Sequence, residues 1–275
     1  MIMAMATSPN RGAEVEFQGA SKAFVLGKKV MTALQDVTFT VHRGEFVSIV
    51  GPSGCGKSTT LNILAGLTEA TGGRVLVEGH PPGEVRLDLG YVFQQDTVLP
   101  WRKVVDNIQI GLKLRGVPAD QRRARADELL KLMGLENFGN SFPSELSGGM
   151  RKRVALASTL AYNPVLLLMD EPFGSLDAQT RMVLQDELLR LWNEQRQTVI
   201  FVTHDIAEAI ALADRVIVMT ARPARIKKEY LVDLPRPRSV ADVRFDPRFE
   251  ELHKQIWDDL RPEIAEQTRV SGSRA

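Results

Sequence analysis

The chain has 275 residues, 44% of them hydrophobic and 25% charged, the balance of a soluble globular protein of one large or two small domains. Lys and Arg (35) nearly cancel Asp and Glu (34), so no basic field argues for nucleic acid. No stretch nears the roughly 20 apolar residues that span a bilayer, and the single cysteine, Cys55, excludes an internal disulfide and fits a reducing compartment.

Residues 1–13 read as a flexible leader; their apolar start meets Pro9, Arg11 and Glu14 too soon for a secretory signal. Residues 15–17 and 37–41 read as short strands, and Phe46–Val50 as a buried one. Directly after it, Gly51-Pro52-Ser53-Gly54-Cys55-Gly56-Lys57-Ser58 fits the pattern G-x-x-x-x-G-K-[ST] at every fixed position, and a helix over 58–65 follows. The glycines let backbone N–H groups converge on phosphate oxygens, Lys57 adds a point charge, and the Ser58 hydroxyl suits Mg²⁺. The helix N-terminus behind them favours an anion. Cys55 has two readings. A thiol near that N-terminus and Lys57 would have a lowered pKa and react readily, whereas a small side chain turned into the core would be inert.

Further strands are predicted at 74–77 and 90–93, then a helical stretch from about 104 to 160 in which 120–133 carries Ala124, Leu129, Leu130 and Met133 on one side. After Pro164 the pattern alternates: strand 165–169, helix 178–195, strand 198–202, helix 206–213, strand 216–219. Continuous apolar strands between helices predict an α/β fold with a mostly parallel sheet, interrupted by a helical insertion. Pro235-Arg-Pro-Arg238 reads as a break. Beyond it Phe249, Leu252, Ile256, Leu260 and Ile264 mark an amphipathic helix that packs on its own domain.

Ligands of open parallel sheets bind beyond the carboxyl ends of the strands. Asp170 and Glu171 end one such strand and His204 follows another, so all three fall at the phosphate loop's edge. Asp170 suits Mg²⁺, Glu171 the deprotonation of an attacking water, and His204 a hydrogen bond to the terminal phosphate. Gln94, or its neighbour Gln95, offers an uncharged ligand for Mg²⁺ or water. Leu146-Ser147-Gly148-Gly149-Met150 opens a helix whose first turn also carries Arg151, Lys152 and Arg153, cations that oppose the helix dipole unless an anion docks there.

These motifs in this order resemble the ATP-binding cassette family, the ATPase subunits of membrane transporters, over about residues 15–231. The Leu-Ser-Gly-Gly run, Asp170-Glu171, Ser175-Leu176-Asp177 and His204 carry the resemblance beyond the phosphate loop. It implies a phosphate-loop NTPase core with N-terminal antiparallel strands over 14–234, a helical subdomain inserted at about 95–160, and a C-terminal tail over 235–275. It implies that ATP is held by Gly51 to Thr59, by Phe24 stacking on adenine (a core aromatic is the alternative), and by Ser147, Gly148 and Gly149. It gives catalytic duties to Lys57, Gln94, Glu171 and His204, and Mg²⁺ to Ser58, Gln94 and Asp170. Met150 stands where glutamine is commoner. The resemblance further implies a head-to-tail homodimer with ATP between one phosphate loop and the other subunit's Ser147-Gly148-Gly149. Leu99-Pro100-Trp101 would face a permease.

Val92-Phe-Gln-Gln95, Leu99-Pro-Trp101 and Leu234-Pro-Arg-Pro-Arg238 are similar to ATPases of nitrate, taurine and aliphatic-sulfonate importers. The function expected is therefore energy coupling for uptake of a small anion, peripheral on the cytoplasmic face of the inner membrane, with a permease and a solute-binding protein as partners and no nucleic acid. The competing class is a soluble cassette ATPase acting on nucleic acid or ribosomes, which usually joins two cassettes or inserts a long coiled coil. A silent nucleotide-binding regulator would lack Glu171 or His204, and both are present.

Overall fold

Phe46–Val50 (β3) has no solvent-exposed residue, and it lies inside a six-stranded sheet. The computed structural model describes residues 14–27, 29–84 and 89–272; the leader expected over 1–13 lies outside the described residues. Two long strands come first, β1 (Val15–Leu26) and β2 (Lys29–Val41), and β4 (Gly72–Val77) pairs with β1 in an antiparallel sheet of order β2-β1-β4. The main sheet adds β5 (Leu89–Val92), β6 (Leu166–Asp170), β7 (Thr198–Val202), β8 (Arg215–Met219) and β9 (Ile226–Leu231) to β3. Its order is β5-β6-β7-β3-β8-β9, parallel from β5 to β8 and antiparallel only at β9.

Side chains alternate across a strand, and here the alternation feeds two separate cores. Phe46, Leu167, Met169, Val199, Phe201, Val216 and Val218 face one apolar cluster. Val47, Ile49, Leu166, Leu168, Ile200, Val202, Ile217 and Met219 face the other. The first cluster is covered by α5 (Ala178–Gln195), α6 (Ile206–Leu212), α7 (Pro247–Gly272) and the helices α2 (Val104–Leu114), α3 (Ala119–Leu132) and α4 (Gly148–Leu160). The second holds α1 (Lys57–Leu64) and the small sheet, where Phe17 stacks on Phe39 at 4.5 Å between ring centres. The expected fold class is borne out.

Three stretches differ from the sequence reading. The first hairpin is far longer than 15–17 and 37–41, because bulges between Phe17 and Ala23 break the alternation that marks a strand. β9 went unread because Lys227, Lys228 and Glu229 form a charged run; pairing with β8 and burial of Tyr230 hold it in place. The Pro235-Arg-Pro-Arg238 break is a strap. Arg236 bonds Asp214 (2.8 Å) and the Leu212 carbonyl, and Arg238 donates to the carbonyls of Ile210 (3.0 Å) and Ala213 (2.9 Å). Cations thus satisfy the open carbonyls at the end of α6. Beyond the strap, Phe249, Ile256 and Leu260 of α7 are buried on the domain and Leu252 packs half-buried against the same core, as the periodicity implied, whereas Ile264, the last residue of the expected stripe, is exposed.

Trp192 of α5 is fully buried, edge-on to Phe46, with the Arg236 guanidinium 4.2 Å from its ring centre. Its indole N–H donates to the Gln197 carbonyl at 2.9 Å. Trp192→Ala should therefore cost about 3–5 kcal/mol, read as a lower urea midpoint at constant slope. A loss below about 1 kcal/mol would show that the strap and α5 can close the gap.

Candidate active site

The phosphate loop joins β3 to α1. Gly54 and Gly56 have φ of +73° and +140°, and a Cβ on Gly56 would lie 2.8 Å from a Leu34 methyl and 3.0 Å from the Ala33 carbonyl. Only glycine fits between this loop and β2. Gly56 caps α1 with no side-chain hydrogen bond, which leaves first-turn N–H groups for an anion. Lys57 is buried, and its ammonium donates to the carbonyls of Gly51 (2.8 Å) and Pro52 (3.0 Å), leaving a third N–H uncommitted by those bonds. Ser53, Gly54, Gly56, Lys57, Ser58 and Thr59 line a cavity of about 390 Å³ together with Gln94, Glu171, His204 and Arg222.

Gly51 and Pro52 lie beneath that surface, and Cys55 is turned away from it. The thiol is fully buried in the second core, close against Gly51. Burial pushes its pKa up, outweighing Lys57. The reactive-thiolate reading is overturned, since a helix N-terminus cannot offset desolvation of a core side chain. Of Cys55, only the backbone belongs to the loop.

Asp170 ends β6 almost wholly buried, accepts a hydrogen bond from the Ser58 hydroxyl, and has one oxygen, Oδ1, without a partner. Burial raises its pKa, with Glu171 adding to the rise; Ser58, Lys57 and Lys152 oppose it. A buried carboxylate with an orphaned oxygen beside a hydroxyl fits a hard cation such as Mg²⁺. Among the described residues no cluster of three or more His, Cys, Asp or Glu could hold a metal. The donor set therefore suits a cation that arrives with phosphate oxygens.

Glu171 follows with φ of +46°, a left-handed conformation costly for a residue with a Cβ, and its N–H donates to the Val202 carbonyl at 2.9 Å. Its Oε2 lies 3.4 Å from the Gln94 amide nitrogen and 3.2 Å from His204 Nδ1. Gln94, and not Gln95, lines the cavity, so the structure brings Gln94, Glu171 and His204 together beside the loop.

Phe24 does not line this cavity. It is half-buried on β1 opposite Met31, with the Lys22 ammonium 5.0 Å from its ring centre. Ser147, Gly148 and Gly149 do not line it either; the Ser147 hydroxyl caps α4 by accepting the Met150 N–H at 3.3 Å. The three cations that follow do not await an anion. Arg151 bonds Asp96 and the Leu146 carbonyl, Lys152 bonds the carbonyls of Phe93 and Gln94, and Arg153 bonds that of Met133. The charges are spent inside the subunit, so only Ser147 and the glycine N–H groups still speak for an external phosphate.

Sequence reasoning missed three groups. Arg222, in the loop after β8, donates to the Gly54 carbonyl and lies 3.0 Å from the Met31 sulfur, tying the phosphate loop to β2; no local motif announces it. Thr203 places His204: its N–H donates to the Ile49 carbonyl and its hydroxyl to buried Glu208, which also accepts from Gln185 at 2.6 Å. Burial raises the Glu208 pKa. A lone glutamate in Ile206-Ala-Glu208-Ala-Ile-Ala-Leu-Ala213 was the available signal.

The sequence profile described as ABC transporter matches residues 34–174, half of the chain. An uncharacterized ABC transporter ATP-binding protein of Methanocaldococcus jannaschii, MJ0412, is 45% identical over 251 residues, 91% of this chain and 92% of that protein. The chain belongs to the ABC transporter family. It is an ABC ATPase, and the taurine import ATP-binding protein TauB of Rhizobium johnstonii is 44% identical over 83% of it and 88% of that relative. The fold of the ATP-binding cassette MJ0796, solved as a dimer bound to ADP and Pi, superposes with a TM-score of 0.74 at 34% identity. The match covers 80% of this ABC ATPase and all of that chain.

In this ABC ATPase, Glu171→Gln should cut turnover about 10²–10⁴-fold while MgATP still binds, as removal of a general base does. Steady-state hydrolysis and nucleotide titration check it; near-normal turnover would remove Glu171 from the chemistry. For Cys55, a thiol reagent should find no fast-reacting group in the native chain and one after denaturation. Rapid native labelling would contradict its burial.

Proposed function

We propose that the chain is the energy-coupling subunit of an importer for a small anionic solute such as nitrate, taurine or an alkanesulfonate. The observation that carries the reading is one cavity lined by the phosphate loop, Gln94, Glu171 and His204, with Asp170 buried at its base. Taurine-import names among the relatives support the solute class. Residues 14–234 would form the ATPase domain, with the helical part at about 95–160 inserted, and 235–275 a tail.

The phosphates of ATP rest on the loop's N–H groups, and Lys57 turns its remaining donor to the outer ones. Ser58 and Asp170, with Gln94 near, would hold Mg²⁺, which would supply neutralisation of the phosphate charge. A water oxygen attacks the γ-phosphorus in line, its proton passes to a Glu171 oxygen, and the bond to the ADP oxygen breaks. His204, anchored through Thr203, hydrogen-bonds the transferred phosphoryl and orients Glu171, and Gln94 orients the water. Phe24 would stack on adenine at the edge of β1.

Ser147, Gly148 and Gly149 stand outside their own subunit's cavity, so their phosphate belongs to a second copy in a head-to-tail homodimer. The dimeric MJ0796 cassette supports that arrangement. Among the described residues no helix is long and apolar enough to cross a membrane, so the solute path falls to permease subunits, served by a solute-binding protein. The cassette sits peripherally on the cytoplasmic face of the inner membrane. Leu99-Pro100-Trp101 is the docking candidate: Trp101 is 71% exposed, while buried Asn107 pins the turn through Leu99 and Arg102.

Co-purification from native membranes should recover a permease, and uptake in vesicles carrying the complex should follow a small anion. Isolation with ribosomes or nucleic acid, and none with membranes, would sink the reading. Lys57→Ala should weaken ATP binding, and Ser147→Arg should spare it but block ATP-dependent dimerisation. Mixing the two should restore one composite site, visible as dimers on gel filtration; mixed dimers that close no better than either parent would refute the sandwich.

A further inference from the structure

Lys152 sits in the first turns of α4, yet it is buried to 2% exposure. Its ammonium donates to the carbonyls of Phe93 and, at 2.8 Å, Gln94. One residue earlier, Arg151 bonds Asp96 at 3.1 Å. The start of α4 therefore grips the segment 93–96 at three points, two of them through Lys152. From the same segment the Gln94 side chain reaches Glu171, with its nitrogen 3.4 Å from Oε2. That contact is at the long end for a hydrogen bond, so a shift of a few tenths of an ångström in the loop makes or breaks it.

Burying an ammonium is costly, and a methionine of similar length would fill the space without that cost. The two carbonyls explain the lysine. We infer that Lys152 is a positioning residue that couples the start of α4, beginning at Ser147-Gly148-Gly149, to Gln94 at Glu171 within one subunit. A displacement of the helix start drags the Gln94 backbone with it. Engagement of Ser147 by a second copy's nucleotide would then retune the catalytic carboxylate of the subunit that donates Ser147. The inference rests on the ATPase roles proposed for Gln94 and Glu171.

The test compares full-length Lys152→Met, Lys152→Gln and Lys152→Arg. Amide hydrogen exchange over 93–96 should be several-fold faster in Lys152→Met with β3 and β6 unchanged, and near wild type in Lys152→Gln, whose amide still donates. Turnover of Lys152→Met should fall about 10–100-fold, as a small misplacement of a catalytic group does, with KM for ATP little changed. On a Gln94→Ala background the same substitution should add almost nothing, because both act through one contact. Unchanged exchange, additive losses, or rescue by arginine but not glutamine would overturn the inference. Should Lys152→Met not fold, Lys152→Gln decides: loosened exchange at 93–96 with wild-type thermal stability would overturn it. The exchange readout needs no hydrolysis, so a chain that turned over no ATP would sink the proposed function and leave the exchange result standing.

Discussion

Everything chemical in this molecule depends on the register of three parallel strands. Ile49 of β3 pairs with Val202 of β7, and Val202 pairs with Asp170 of β6. The chain therefore leaves all three strands at one height, and Gly51, Glu171 and Thr203-His204 emerge side by side. A slip of one residue in any strand would turn its last side chain to the opposite face. The apolar alternation that feeds two cores prevents such a slip, because each strand would have to exchange both of its buried faces at once.

That same register explains the electrostatics. Two adjacent carboxylates, Asp170 and Glu171, arrive at a buried edge where desolvation raises the pKa of the first. Lys57 from the loop and Lys152 from α4 supply the nearby positive charge, and both ammonium groups are held by backbone carbonyls rather than by carboxylate oxygens. Asp170 Oδ1 is thus left open to a cation rather than closed by an internal ion pair.

The sequence was legible where one cause acts alone. Residues 198–202 and 178–195 match β7 and α5 at both ends, since unbroken apolar runs and a capped amphipathic helix each leave a plain signature. The phosphate loop was legible because its backbone turn restricts which residues can stand there, and Asp170, Glu171 and His204 because each sits at the carboxyl end of an apolar strand. Gln94 and Gln95 could not be told apart until the cavity lining was known. Legibility failed where distant partners decide. Lys227 and Lys228 look like surface charge until β8 supplies hydrogen bonds, and Cys55 looks activated until the second core desolvates it. Arg151, Lys152 and Arg153 look unmatched until the Asp96 carboxylate and the carbonyls of Leu146, Phe93, Gln94 and Met133 are placed beside them. Arg222 had no signal at all, for its meaning lies in the Gly54 carbonyl far away in the chain.

The strap at Pro235 to Arg238 has a consequence for how this protein can be cut and joined. Arg236 covers one face of Trp192, and Arg238 closes carbonyls at the end of α6, the helix that carries Glu208 beneath His204. A minimal cassette trimmed at the last strand would uncover an indole and leave those carbonyls bare, even though every residue lining the phosphate-loop cavity remained. The functional boundary and the cooperative boundary of this polypeptide are therefore different places. Reporter fusions and domain grafts that respect only the first would inherit a loosened floor under the histidine.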